Sequence, residues 1–232
     1  MELPNWRGAH PPERIKLQGQ YTRLEPLSLA RHGEQLFESA LEPGADDRFR
    51  YLPDGTPTDY SRFGAWMEKS EGSFDPMFSS VIDMRTGRAE GRQALLRVDA
   101  ANGVIEIGHI LWGPAIARSR VTTEALFLAA QYVFDELGYR RFEWKCNDLN
   151  LPSKSAAGRF GFAFEGVFRN HMVVKGLNRD TAWFAMTDED WRAMKPAYLA
   201  WLAPENFYED GQQRTKLTTI VRSGQGGSAS SR

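Results

Sequence analysis

The sequence IEIGHILWGPAIARSRVTTEAL, residues 105–126, decides the fold of this chain. The segment Gly103–Trp112 has β-type composition, and a Gly-Pro turn separates it from a helical pattern that extends over Val121–Leu137. Gly138 is placed to end that helix, and Arg141–Cys146 (RFEWKC) is the next β-type segment. A strand, a helix and a second strand in this order predict a right-handed crossover between two parallel strands.

Two more short strands precede this unit. They are Phe78–Asp83 (FSSVID) and Gly91–Asp99 (GRQALLRVD), and the turn-rich stretches MRTGRAE and AANG follow them. Three neighbouring strands with tight connections predict an antiparallel meander. The helix Val121–Leu137 is apolar around most of its circumference, so it should lie against the sheet. The expected fold class is α+β, with a mostly antiparallel mixed sheet, one parallel pair and flanking helices.

The rest of the chain supplies elements on both sides of this centre. On the N-terminal side, the sequence predicts a strand over Tyr21–Leu27, a helix over Leu29–Leu41 capped by Ser28, a long loop over Pro43–Pro57 and a helix capped by Thr58 or Asp59. On the C-terminal side, it predicts a short helix over Pro152–Phe160 and a hairpin of two strands, Phe164–Val174 and Thr181–Thr187, around KGLNRD. We expect an N-terminal arm (1–20), one domain (21–188), a C-terminal helical extension (189–221) and a disordered tail (222–232).

Composition excludes several classes of protein. The 232 residues include 29 Lys plus Arg and 30 Asp plus Glu, and this balance argues against a dedicated nucleic-acid binder. The single cysteine, Cys146, forms no intramolecular disulfide, and the scattered histidines do not predict a metal site. The longest apolar run, Ala125–Ala130, is too short for a membrane span, and the charged, proline-containing N-terminus is unlike a signal peptide. We therefore expect a cytoplasmic protein.

The stretch from Ile105 to Phe168 resembles the signature of the GNAT N-acetyltransferase superfamily, and of its RimJ/RimL-like branch in particular. Beyond IEIGHILWGPAIARSRVTTEAL, the matching features are N-x-x-S at Asn150–Ser153, the pair Gly161–Phe162 and FEGVFR at Phe164–Arg169. The segment YTRLEPLSLARHGEQLFESAL is also similar to the branch's first strand and helix. The resemblance covers roughly residues 21–188. It implies a sheet whose two central parallel strands splay apart to admit acyl-CoA.

The resemblance also implies a binding site for acetyl-CoA as acyl donor. Pantetheine would pair with the backbone of Ile110, Leu111 and Trp112, and Asn150 would orient the donor through its side-chain amide. Asn150 could equally be only a helix N-cap. The pyrophosphate would bind at the helix start formed by Arg118, Ser119, Arg120, Val121 and Thr122. A helix N-terminus favours anions on physical grounds as well.

The phosphate turn departs from the family pattern. The usual Q/R-x-x-G-x-G/A would fall on Ala117–Thr122, where this chain has A-R-S-R-V-T. Arg120 stands at the position where glycine lets the backbone approach the phosphate in the family, so the phosphate-binding turn should leave less space here. Arg118 and Arg120 could instead provide charge-assisted contacts to phosphate oxygens. The alternative is that both are solvated arginines and that the site no longer binds the donor.

Two residues are candidates for the chemistry of acyl transfer to an amine. Glu106 would act as general base, directly or through water, or is only a carboxylate on the polar face of a strand. Ser153 would donate a proton or hydrogen bond to the leaving thiolate, or is only a helix-terminus serine. His109 should face away from Glu106 by strand alternation unless a bulge intervenes. Cys146 fits a buried structural thiol better than a nucleophile.

These features predict an acetyl-CoA-dependent N-acetyltransferase that transfers acetyl to a primary amine in a ternary complex. The acceptor could be a protein N-terminus, an amino acid or a small amine, and a homodimer is left open. Alternatives are the use of another acyl-CoA such as succinyl-CoA, with Arg118 or Arg120 pairing its carboxylate, or a non-catalytic acyl-CoA-binding module. A scaffold role for the aromatic segment Trp191–Tyr208 is a third reading.

Overall fold

A single mixed sheet organises the chain, for which the computed structural model describes residues 2–226, with side chains up to Val221. Its eight strands have the order β1-β2-β3-β4-β5-β6-β8-β7, and only the β5–β6 pair is parallel. The strands are β1 Leu17–Gln18, β2 Thr22–Pro26, β3 Met77–Asp83, β4 Ala89–Asp99, β5 Val104–Trp112, β6 Arg141–Asn147, β7 Ala163–Val174 and β8 Leu177–Thr187. The predicted meander and mostly antiparallel sheet are confirmed.

Helices cover both faces of the sheet. They are α1 Leu29–Leu41, α2 Ala45–Phe49, α3 Tyr60–Glu71, α4 Arg120–Gln131, α5 Leu151–Arg159, α6 Asp188–Leu202 and α7 Leu217–Gly226. The apolar helix predicted over Val121–Leu137 is α-helical only to Gln131, and a π-helical turn, Tyr132–Glu136, completes it. Gly138 adopts φ +75° and ends the element, as its position in the sequence indicates.

The core is divided between the two faces. Residues of α4 and α6 pack on one face in a large cluster that includes Val81, whereas α1 and α3 pack on the other face with Ile82. These two neighbours on β3 point to opposite faces because side chains alternate along a strand. The helix α4 is apolar on most of its circumference, which suits its position between the sheet and α6.

The parallel pair separates partway along its length. β5 and β6 are paired from Val104 with Arg141 to Ile107 with Trp144, and the pairing ends there. β5 continues beside β4 as far as Trp112. Gly113 then begins the Gly-Pro turn, and a Cβ on it would lie 2.0 Å from Ser39 Oγ. The splayed centre of the sheet opens a cleft between β5 and β6.

Other predicted boundaries also differ from the structure. The loop over Pro43–Pro57 contains α2, a short helix whose N-cap, Gly44, has φ +82°. The turn predicted over KGLNRD narrows to Lys175 and Gly176, because β8 begins at Leu177. The N-terminal arm already contains β1, which pairs with β2.

The ends of the chain complete the description. The helix α7 extends into the predicted tail as far as Gly226, and residues 227–232 lie outside the described residues. The arm packs on the molecule, because Trp6 Nε1 donates to the Ala101 carbonyl at 2.7 Å. None of the helices within residues 2–226 has the length and apolar character that crossing a membrane requires.

Candidate active site

A cleft of about 290 Å³ occupies the gap between the separated strands. Its walls are β5 from Glu106 to Ile110, β6 from Trp144 to Asn147 and the start of α5. The segment Tyr51–Pro53 after α2 and parts of β7 and β8 complete it. Residues far apart in sequence therefore meet where the parallel strands stop pairing.

Glu106 lies in this cleft and is 4% exposed. Its Oε2 atom accepts from Arg97 NH1 at 2.8 Å and lies 3.0 Å from Lys145 Nζ. Lys145 is shared with Glu143, whose Oε2 is 2.6 Å from the same Nζ, and it also lies 3.8 Å from the Trp183 ring centroid. Two cations thus hold Oε2, while no donor of the described residues reaches Oε1.

A bulge in β5 changes the direction of His109. Arg92 pairs with Leu111 and Ala94 pairs with Gly108, so His109 and Ile110 together oppose one residue of β4. His109 has φ +51°, and its ring lies 5.2 Å from the ring of Phe78. Burial, and next the positive charge of Arg92, lower the pKa of His109 to about 4. Because of the bulge, His109 lines the same cleft as Glu106. Strand alternation alone would have placed the two side chains on opposite faces.

The opposite wall carries Ser153 at the first turn of α5. Asn150 caps this helix, because its Oδ1 accepts from Ser153 N at 3.2 Å. Trp144 Nε1 donates to Ser153 Oγ at 3.0 Å, which orients the hydroxyl while leaving its own hydrogen available to donate. Burial raises the pKa of the neighbouring Cys146 thiol, so this side chain is a poor nucleophile.

The start of α4 forms the second candidate site. Ser119 is its N-cap, and Ser119 Oγ accepts from Val121 N at 3.1 Å. Thr122 Oγ1 donates to the Ser119 carbonyl at 3.1 Å. Arg118 is exposed with φ +58°, the backbone conformation that glycine adopts most readily.

The two arginines of this turn have different surroundings. The guanidinium of Arg120 lies 4.4 Å from the ring centroid of Tyr21 and 5.3 Å from that of Phe207. Arg120 is therefore already engaged by aromatic rings of the protein. No hydrogen bond or ion pair within the described residues involves the Arg118 side chain.

The residues predicted to bind the acyl donor fall into three groups. Ile110 and Asn150 line the cleft, whereas Leu111 and Trp112 lie farther along β5. Leu111 packs with Ala40, and the ring of Trp112 contacts that of Phe160 at 6.0 Å. Residues 118–122 at the start of α4 do not line the cleft and form a separate region.

Two arginines were missed by reasoning from the sequence. Arg159 NH2 donates to Thr123 Oγ1 at 3.0 Å, which places a largely buried guanidinium beside the first turn of α4. Arg179 lines the cleft, although its segment KGLNRD reads as a turn. The alternation of Arg179, Thr181 and Trp183 along a strand was the available signal.

The end of α2 and the segment that follows it are hydrogen-bonded to neighbouring parts of the chain beside the cleft. Lys175 Nζ donates to the Phe49 carbonyl at 2.9 Å, and Tyr51 Oη donates to the Leu149 carbonyl at 3.3 Å. These bonds connect the segment to the β7–β8 hairpin and to the loop before α5. Within the described residues, no group of three or more His, Cys, Asp or Glu side chains is arranged to hold a metal ion.

Comparisons with known proteins agree with this architecture. The family model described as "Acetyltransferase (GNAT) domain" matches residues 23–163. The crystal structure of a GCN5-related N-acetyltransferase from Brucella melitensis has a TM-score of 0.93 and 53% identity, covering 95% of this chain and 100% of that one.

Two curated relatives come from Bacillus. "Probable N-acetyltransferase YjcK" of Bacillus subtilis is 27% identical over 169 residues, which cover 72% of this chain and 88% of that protein. "Uncharacterized N-acetyltransferase p20" of Bacillus licheniformis is 28% identical over 116 residues, which cover 48% of this chain but only 62% of that protein. Because the family model covers more than half of the sequence and the splayed sheet matches, the chain belongs to the GNAT family and is an N-acetyltransferase.

Proposed function

We propose that this enzyme transfers the acetyl group of acetyl-CoA to a primary amine by direct attack in a ternary complex, as a member of the RimJ/RimL-like branch. The observation that carries the proposal is the end of strand pairing at Ile107 and Trp144, which leaves Glu106 and Ser153 on opposite walls of one cleft. Acyl transfer needs a base on the amine side and a donor on the thiolate side.

The residues at the start of α4 are compatible with a phosphate group. The first turn of a helix has backbone N–H groups without intrahelical acceptors, and the exposed Arg118 adds a cation. Arg118, Ser119, Val121 and Thr122 would line the pyrophosphate site. Val121 N already donates to Ser119 Oγ and Ser119 N to the Ile116 carbonyl, so the backbone N–H groups of Arg120 and Thr122 would be its main donors. The side chain of Arg120 would contribute less to pyrophosphate binding than its charge implies, because its guanidinium is stacked on the ring of Tyr21.

The pantetheine arm would follow the open edge of β5. Ile110, Leu111 and Trp112 lie beyond the last residue that pairs with β6, so this side of the strand has no β6 partner there. Asn150 would assist from the start of α5, although its Oδ1 already accepts from Ser153 N. When bound, acetyl-CoA supplies an activated thioester carbonyl.

Glu106 would accept the proton of the attacking ammonium through a water molecule on Oε1. Arg97 and Lys145 hold the other oxygen, so the carboxylate keeps one fixed orientation. The amine nitrogen then forms a bond with the carbonyl carbon as the carbon–sulfur bond breaks. Ser153 would donate a hydrogen bond to the departing thiolate, because Trp144 occupies its oxygen as a hydrogen-bond donor. The second proton that the nitrogen loses on becoming an amide would pass through this hydroxyl to the sulfur, so the serine ends the step protonated.

The variants Glu106→Gln and Ser153→Ala test this assignment. Thiol release from acetyl-CoA is measured with a panel of primary amines across pH. Each change should lower kcat about 10²-fold, as expected for loss of a general base or acid.

Matched controls are available on exposed positions. Glu68→Gln removes an exposed carboxylate, and Ser155→Ala changes another serine of α5, so both should retain wild-type rates. Undiminished turnover in both Glu106→Gln and Ser153→Ala would show that these residues do not carry the chemistry. Absence of thiol release with every amine, together with no calorimetric signal for acetyl-CoA, would contradict the proposed function itself.

A further inference from the structure

The charged side chains that line the cleft are mostly cations. Arg48, Arg97, Lys145 and Arg179 line it, and Glu106 is the one carboxylate among the lining residues. A site with this charge balance favours a ligand that brings negative charge. The partners of each cation decide which of them is available to such a ligand.

Three of the four cations are already engaged. Arg48 caps the end of α1, where NH1 donates to the Pro43 carbonyl at 2.7 Å and NH2 donates to the Glu42 carbonyl at 2.8 Å. Arg97 and Lys145 both contact Glu106 Oε2. These three side chains therefore serve the fold or hold the carboxylate in place.

Arg179 is different because no carboxylate of the described residues pairs with it. Its Nε donates to Thr181 Oγ1 at 3.1 Å, which fixes the plane of the guanidinium from one side. No acceptor within the described residues is bonded to NH1 or NH2, and neither atom is sealed from solvent. Burial lowers the pKa of Arg179, yet a guanidinium stays protonated, so a partly desolvated cation faces the cleft.

We propose that Arg179 binds a carboxylate carried by the acceptor, so that the preferred substrate is an amino acid or another amine that bears a carboxylate. This inference rests on the proposed function. The free NH1 and NH2 groups match the two oxygens of a carboxylate in a bidentate pair. The amine of the same molecule would point toward Glu106, across the cleft that both residues line.

The pyrophosphate of the acyl donor does not explain Arg179. The helix start proposed for it, residues 118–122, does not line the cleft, whereas Arg179 does. A carboxylate on the transferred acyl group, as in succinyl-CoA, has the same chemistry and needs its own experimental arm.

The experiment compares acceptors that differ only in the charged group. Thiol release from acetyl-CoA is measured with amino acids and with their carboxamides, in the wild type and in the variants Arg179→Gln and Arg179→Lys. Arg179→Gln should lower kcat/KM for the acids on the order of 10- to 100-fold, mainly through KM, and leave the carboxamides unchanged. For Arg179→Lys, kcat/KM for the acids should lie between the values of the wild type and of Arg179→Gln, because lysine keeps the charge but loses the bidentate geometry.

A matched control and a folding check accompany these variants. Arg192→Gln changes an exposed arginine of α6 that does not line the cleft and should leave the acid-to-amide ratio unchanged. An unchanged Tm in Arg179→Gln would show that the fold is intact. A merely structural role would lower the rates for acids and carboxamides together.

Three results would overturn the inference. They are equal kcat/KM for acids and carboxamides in the wild type, an equal loss for both in Arg179→Gln, and a preference for succinyl-CoA over acetyl-CoA that Arg179→Gln removes. In the first two cases thiol release from acetyl-CoA still occurs, so the proposed function stands. The third result would replace acetyl-CoA by succinyl-CoA as the acyl donor and leave acyl transfer to an amine in place. Absence of thiol release with any amine overturns the proposed function and this inference with it.

Discussion

Glu124 shows how one side chain of the signature segment serves the fold rather than the chemistry. It is buried in α4, and its carboxylate accepts from the backbone N–H groups of Gln20, Tyr21 and Thr22 at 2.9, 2.6 and 2.7 Å. These three donors lead into β2, so the carboxylate fixes the chain between the arm and the sheet. Gly19 passes so close that a Cβ there would lie 2.4 Å from the carboxyl group.

Replacing this carboxylate should destabilise the protein strongly. Glu124→Ala leaves three backbone donors without their acceptor, and we expect the free energy of unfolding to fall by about 3 kcal/mol. Denaturant unfolding at neutral pH measures this change. Glu189→Ala, at an exposed position of α6, should change it by less than about 0.5 kcal/mol. Equal stabilities of the two variants would contradict the role assigned to Glu124.

The segment between α2 and α3 is held to the sheet by one partly buried ion pair. Arg92 on β4 is 2% exposed and pairs with Asp54, and its guanidinium lies 4.2 Å from the ring centroid of Trp66. Two of the guanidinium nitrogens, Nε and NH1, have no partner within the described residues. The adjoining residues Tyr51–Pro53 line the cleft, so this ion pair positions part of the cleft wall.

Asp54→Asn should loosen this segment. The change leaves the buried cation of Arg92 without its counter-charge, and we expect a loss of about 2 kcal/mol and faster proteolysis between α2 and α3. Limited proteolysis and thermal unfolding measure both effects. Adding Arg92→Met to Asp54→Asn should recover part of the stability, since no unpaired charge is then buried. Asp47→Asn, which affects only an exposed pair with Arg50, should behave as the wild type, and a similar loss there would argue against the ion pair as the cause.

The buried His32 and the half-buried His109, which contact Ser80 and Phe78 of β3, couple the stability of the protein to pH. His32 in α1 lies between Ser80 and Glu25, with Nδ1 2.9 Å from Ser80 Oγ and Nε2 3.3 Å from Glu25 Oε2. Burial, followed by the charge of Arg31, lowers the pKa of His32, and burial lowers that of His109 to about 4. Both side chains are therefore neutral in the folded protein at neutral pH.

Stability should decrease on mild acidification. Histidines of the unfolded chain have a pKa of about 6.5, so below that pH the unfolded state binds more protons than the folded state. The contribution of these histidines to the free energy of unfolding should be constant above pH ~7 and should decrease as the pH drops toward about 5. Denaturant unfolding between those values measures the slope.

The variant His109→Gln should reduce this slope, because one of the histidines whose pKa is lowered in the folded protein is removed. His10→Gln, at an exposed position of the arm, should leave the slope as in the wild type. A slope that is unchanged in His109→Gln would show that His109 titrates alike in the folded and unfolded chains.

The elements of the sheet were largely predictable because their information is local. The meander, the crossover helix and the caps at Asp59 and Asn150 follow from alternation, helical periodicity and capping residues. Boundaries were less predictable. Leu177 reads as part of a polar turn, yet it belongs to β8 because it pairs with Val174 of β7. Likewise, Gly44 reads as a loop residue but precedes the short helix α2.

The sequence by itself determined the α+β class, the parallel pair and the family signature, including Glu106, Ser153 and the altered turn at Arg118 and Arg120. These depend on residue types at fixed spacings, which a chain displays without folding. Only the tertiary structure decided which side chains face the cleft. The bulge that turns His109 inward is set by contacts between residues distant in sequence. The same is true of the pairing that engages three cations but leaves NH1 and NH2 of Arg179 without an acceptor among the described residues. Register and charge compensation arise from packing between elements, so no local pattern encodes them.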